Sequence, residues 1–145
     1  MRVIPANCFV ASPARSRLVV GQALSNFSSH FHDPIQMQSV ATALGISEGC
    51  LDFCFDQSRG MTPFEALQHH RLNQLFQSIT DHPRQPLRLA ISRCGLGQTV
   101  NPLALFEETF GIAMPLFVLT CRRAAEDREF RRLHPGRGEL VLSSR

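Results

Sequence analysis

Lysine, tryptophan and tyrosine are absent from this chain of 145 residues, so all fifteen basic side chains are arginine. We read this as a compositional habit of the source genome rather than selection for bidentate phosphate contacts. Although 43% of the residues are apolar, enough for a core, no run approaches the roughly 18 that a membrane span needs. Pro5 and Asn7 interrupt the start of the chain, which excludes a good signal peptide. Cysteines 8, 50, 54, 94 and 121 are odd in number and follow no framework, which predicts free thiols in a reducing cytoplasm. Cys50 and Cys54 stand four apart, with His69-His70 downstream, yet no Cys-x2-Cys or His-x3-His set completes a metal site. No Gly-x-Ser-x-Gly elbow, phosphate loop or paired-carboxylate pattern stands out. Neither catalysis nor a cofactor is expected, and no strand is convincing.

What is present is a pattern that occurs twice. An apolar-periodic run, a glycine, a short turn and a second amphipathic run fill 37–60 and return over 87–111. Gly45 and Gly95 stand where the chain must leave a helix in a left-handed conformation, which glycine adopts without a Cβ penalty. Each copy reads as a helix-turn-helix, the geometry of a protein that contacts DNA at two places.

The rest of the chain reads as helix around these units. Ser16 is a candidate cap for a helix over 17–31, with Val20, Leu24, Phe27 and Phe31 on one face. Ser47 caps a helix to about 58, with Leu51, Cys54 and Phe55 inward. Thr62-Pro63 opens a long helix over about 63–79 that bridges the two units. Asn101-Pro102 makes Asn101 the cap of the next helix, and Pro115 opens a last one that runs on through Arg132 before His134-Pro135-Gly136. The predicted organisation is a loose extension over 1–16, an all-α body over 17–123, and a basic extension over 124–145.

Several segments of that body carry a family resemblance. They are Asp33-Pro34-Ile35, the Gly45-Ile46-Ser47 turn, Leu51 with Phe55, and Gly60-Met61-Thr62-Pro63 followed by Leu67. Arg71-Leu72-Asn73, Arg93-Cys94-Gly95-Leu96, and Phe106 with Phe110-Gly111 continue the series. In this order and spacing, without a gap from about 17 to 123, the chain resembles the DNA-binding domain of AraC/XylS-type transcription regulators. The resemblance implies a homeodomain-like, all-α fold of two helix-turn-helix subdomains joined by one long helix. It also implies a bacterial regulator whose partner is double-stranded DNA, with RNA polymerase or a second copy of the chain as further partners. Many such regulators carry an N-terminal sensor domain. Here about 16 residues precede the first helix, so the chain is expected to be a stand-alone module or the end of a longer parent.

The candidate DNA-contacting residues follow from the exposed side of each second helix. In the first unit they are Glu48, Gly49, Cys50, Asp52, Phe53 and Asp56; in the second, Gln98, Thr99 and Asn101. Arg122 and Arg123 in the basic C-terminal stretch are candidates for phosphate contact, against the plain reading of a solvated helix end. Two departures weigh against the regulator. Glu48, Asp52 and Asp56 form an acidic stripe where the family usually has polar or basic residues, and Pro102 shortens or displaces the first turn of the second reading helix. Glu107 and Glu108 also stand where basic residues are frequent. The alternative is a diverged or truncated regulator without specific DNA binding, acting through protein contacts.

Overall fold

The computed structural model describes residues 12–135. The first eleven residues, with most of the expected loose extension, lie outside that range; so do 136–145, with Arg137 and Arg145. Among the described residues the protein is all-α: α1 Pro13–His30, α2 Met37–Ala43, α3 Glu48–Arg59, α4 Pro63–Asp81, α5 Leu87–Arg93, α6 Pro102–Phe110 and α7 Met114–Leu133. None of these helices alone is long and apolar enough to cross a membrane.

Four of the seven described helices, α1, α3, α4 and α6, start at a side-chain cap. Ser47 Oγ accepts from the Cys50 amide at 3.1 Å, and Asn101 Oδ1 from the Ala104 amide at 3.2 Å. Thr62 and Glu65 close a reciprocal capping box ahead of α4, both bonds at 3.1 Å, with Pro63 in the first turn. The expected cap at Ser16 is corrected. Ser12 caps α1 instead, Pro13 fills the first helical position, and Ser16 falls one turn inside, on the buried face with Val19 and Val20. There its hydroxyl donates to the Gln57 side chain of α3. The last helix runs past Arg132 as expected, α7 ending at Leu133, so the boundary drawn between 123 and 124 falls inside a helix.

The long helix α4 carries two hydrophobic cores, one near each end. Its Ala66 and Leu67 join Val20, Ala23 and Phe27 of α1, Val40 and Ala41 of α2, and Leu51, Cys54 and Phe55 of α3. Its Leu72, Leu75 and Ile79 join Ala90 of α5, Leu96, Phe106 of α6, and Met114 and Val118 of α7. Phe31 packs against both cores. The aromatic content is uneven. The first core holds a stacked Phe27–Phe55 pair with centroids 6.2 Å apart. The second holds a cluster of four rings, Phe76, Phe106, Phe110 and Phe117, with five pairs at 4.4–6.3 Å.

A buried arginine ties the two ends together. Arg71 of α4 is only 7% exposed. Its Nε donates to the Phe31 carbonyl and an Nη to the Asp33 carbonyl, both at 2.8 Å, which pins the α1–α2 connection to α4. No carboxylate offsets its charge among these contacts, and burial pushes its pKa down. Gly95, after α5, sits directly against this junction. A Cβ there would lie 2.3 Å from the Phe31 carbonyl oxygen and 2.9 Å from Arg71 Nε.

Candidate nucleic-acid interface

The turn between α2 and α3 and the turn after α5 are built alike. In the first, Gly45 (φ +74°) donates to the Thr42 carbonyl at 3.0 Å, and Ile46 to the Ala41 carbonyl at 3.0 Å. In the second, Gly95 (φ +80°) donates to Ser92 at 3.1 Å, and Leu96 to Ile91 at 3.0 Å. These are the paired bonds of a Schellman motif, with the left-handed glycine just past the helix and an apolar residue after it. Leu96 is fully buried and Ile46 packs on the first core, so each turn is anchored by its own side chain. Both second helices also end at a left-handed glycine, Gly60 and Gly111.

Between those fixed points the two units differ. In the first, Ser47 caps α3 directly after Ile46, and α2 packs on α3. In the second, residues 97–101 form a loop before α6 starts at Pro102. There α5 packs chiefly on α4, and α6 chiefly on α7.

On α3, Glu48, Gly49 and Asp52 are exposed, and Phe53 and Asp56 are half-buried. Cys50 is corrected: it is fully buried and disulfide-bonded, so it cannot meet DNA and is not the free thiol expected. The signal was in the spacing. Cys50 lies one helical turn before Cys54, so both share the inward face. Cys54, Cys94 and Cys121 are free thiols, and burial raises the pKa of Cys54 and Cys94. The Asp52 carboxyl is raised too, by partial desolvation and then by the charge of Glu48 one turn earlier.

In the second unit Gln98 is exposed, and Thr99 is half-buried with its hydroxyl 3.4 Å from Gln68 Nε2. Asn101 is exposed, but its Oδ1 is committed to capping α6. Gln98, Thr99 and Asn101 line a groove of about 440 Å³ between their loop and the start of α4, where Phe64 and Gln68 form the opposite wall. On α6 the outward residues are Leu103, Ala104, Glu107 and Glu108.

The two arginine candidates separate. Arg122 is half-buried, and its Nε donates to the Pro83 carbonyl at 2.7 Å, so it braces α7 against the α4–α5 loop. That bond commits Nε, which leaves the Nη groups as the donors on which a phosphate contact by Arg122 would rest. Arg123, next along, is exposed. Farther on, Arg131 pairs with Asp127 at 2.9 Å, and Glu129 reaches Arg84 at 3.0 Å. Among the described residues no three potential metal ligands come together. No family model, no curated protein and no solved structure matches the chain.

Proposed function

We propose that the chain is a DNA-binding transcription regulator of the AraC/XylS type, with α2–α3 and α5–α6 as two helix-turn-helix units in a homeodomain-like arrangement. One observation carries the reading: the same Schellman turn, capped second helix and left-handed glycine stop occur twice, one set at each end of a shared α4. In such a protein the second helix of each unit enters a major-groove segment, and successive segments on one side of DNA recur about 34–36 Å apart. The contacting residues would be Glu48, Gly49, Asp52, Phe53 and Asp56 from α3, and Gln98, Thr99 and Asn101 from the second unit. Arg123 is the candidate for backbone contact. Such a regulator would be a cytoplasmic bacterial protein, a location that the disulfide at Cys50 does not favour, and no reaction is assigned to it.

A second reading has its own support: a diverged regulator that no longer selects a sequence and acts through protein contacts. Exposed Glu48 and Asp52 oppose a polyanion, and a loop stands where the first turn of α6 would read bases. Most affinity for DNA comes from phosphate neutralisation, and neither second helix supplies it before Arg59. A salt titration of binding to random duplex DNA, with wild type and Glu48→Gln/Asp52→Asn, separates the readings. Tighter random binding by the variant at low salt, with a smaller gain at high salt and no operator recoverable by selection, supports the diverged regulator. Loss of binding to a selected operator supports the working one, since a carboxylate bonded to cytosine N4 contributes about 1–3 kcal/mol of discrimination. No change in either assay removes α3 from the interface and defeats both.

A further inference from the structure

The last helix presents one face to its own body and an ordered, different face to solvent. Met114 and Val118 are buried, and Phe117 and Cys121 pack on the second core, so these residues fix the inward side of α7. At 3.6 residues per turn, the opposite side carries Leu116, Leu119, Arg123, Glu126, Phe130 and Leu133. All six are exposed, and the four apolar ones expose 55%, 47%, 44% and 59% of their surface. Their spacing alternates three and four residues, which is the a/d seam of a two-stranded coiled coil. At 1.5 Å per residue the seam runs about 26 Å.

The order of residues along this seam is what names its partner. Read from either end, it gives two apolar residues and then a charge, and the two central charges are of opposite sign. An antiparallel second copy, centred between residues 124 and 125, sets Leu116 opposite Leu133, Leu119 opposite Phe130, and Arg123 opposite Glu126. Two-fold symmetry repeats each layer, so the middle of the seam holds two Arg–Glu pairs flanked on both sides by apolar layers. A parallel copy would instead stack Arg123 on Arg123 and Glu126 on Glu126. Neither of these charges has an ion pair among the described residues. The pairs that α7 does make, Arg131–Asp127 and Glu129–Arg84, lie beside the seam and leave it open.

We infer that α7 is a homodimerisation helix, and that the partner on its outer face is the antiparallel α7 of a second copy of this chain. The contact uses none of the residues of α3 or α6; it shares only Arg123 with the DNA contacts proposed above, so pairing with Glu126 takes that side chain away from phosphate, and self-association is read without DNA. Its isologous form also closes the assembly at two copies.

Sedimentation equilibrium on the full chain tests this with two single charge reversals, Arg123→Glu and Glu126→Arg. Both positions are exposed, so the fold is expected to survive, and unchanged helical circular dichroism checks it. Wild type should form a dimer in the micromolar range. Each reversal alone places like charges in both central layers and should weaken self-association about tenfold or more. An equimolar mixture of the two variants restores opposite charges in every central layer and should dimerise as wild type does. So should the double variant Arg123→Glu/Glu126→Arg. The inference is overturned by a wild type that stays monomeric throughout, by single variants that dimerise unchanged, or by folded variants whose mixture remains monomeric.

Discussion

Ser47 stands two positions beyond Gly45, whereas Asn101 stands six beyond Gly95, although the two glycines end their helices with the same pair of hydrogen bonds. The two units therefore keep their entry turn, their inward phenylalanine and their exit glycine, and change only the stretch between entry turn and helix. That stretch is the part a DNA reader would present. The difference teaches where the constraint lies. Gly45 and Gly95 are held by backbone conformation, and Phe55 and Phe106 by full burial. Residues 97–101 answer to neither, so the second unit can exchange a helical turn for a loop while the frame persists.

The largest effects should come from the inward rings. Phe55 and Phe106 are both fully buried, and replacing either with Ala should cost about 3–5 kcal/mol. Equivalence should end there. Among the described residues Phe55 has one ring partner, whereas Phe106 lies 4.7, 5.6 and 6.3 Å from three. Each aromatic pair adds about 0.5–1.5 kcal/mol beyond area, so Phe106→Ala should be the more damaging. Urea midpoints of the two variants measure the gap, and equal midpoints would mean that the four-ring cluster adds nothing.

The two turn glycines offer a sharper contrast, because their conformations match and their surroundings do not. An Ala in the left-handed region costs about 1–2 kcal/mol at either site. At Gly45 a Cβ meets nothing within 4 Å, while at Gly95 it meets the Phe31 carbonyl oxygen at 2.3 Å. Backbone cannot swing aside as a side-chain tip can. Gly95→Ala should therefore cost clearly more than Gly45→Ala, and it should loosen the Arg71 bonds to Phe31 and Asp33. Faster amide exchange at the start of α2 in the Gly95 variant alone would report that. Equal thermal midpoints would refute the close approach.

Much of this frame was legible in the sequence, and the reasons are local. Ser47, Thr62 and Asn101 announce helix starts because a short polar side chain before a helix has one dominant use. Gly45 and Gly95 announce the turns because no other residue takes that conformation freely. Ser16 misled although Ser12-Pro13 carries the same cap-then-proline signature as Thr62-Pro63 and Asn101-Pro102, and the burial of Ser16 against Gln57 agrees with that signature. Cys50 misled because a general helix-turn-helix face turns that position outward, while its own spacing to Cys54 turns it inward. The bond from Arg122 to Pro83 joins residues 39 apart in sequence, and no local pattern carries such a contact. The Arg71–Gly95 junction was marked by residue types alone; its geometry needed three segments to meet.

The caps come next in size. Ser47→Ala and Asn101→Ala should each cost about 1 kcal/mol. Their consequences should differ, because α3 has twelve residues locked against α1 and α4, and α6 has nine. In the second unit the cap also anchors the loop of residues 97–101. Asn101→Ala should therefore raise amide exchange across that loop and the first turn of α6, while Ser47→Ala changes only the first turn of α3. The same exchange pattern in both variants would erase the distinction between a directly capped helix and a loop-fed one.

The smallest effect concerns the acidic face of α3. Asp52 has a raised pKa, from desolvation first and Glu48 second. A carboxyl whose folded pKa lies above its unfolded one favours the folded state only while protonated, and that advantage is lost as pH rises through the folded value. At neutral pH, then, ionised Asp52 weakens the fold slightly, and Asp52→Asn should raise the unfolding free energy in urea by roughly a few tenths of a kcal/mol at most, since the site is solvent-exposed. Below the carboxylate range the gain should vanish. Glu48 is the wrong residue to neutralise for this purpose. It stands in the first turn of α3, where a negative charge complements the helix dipole. Glu48→Gln therefore removes one favourable and one unfavourable interaction, and its net effect should be near zero. If Asp52→Asn instead destabilised the protein at neutral pH, Asp52 would be making a favourable contact, and the account of α3 as a self-repelling face would fail.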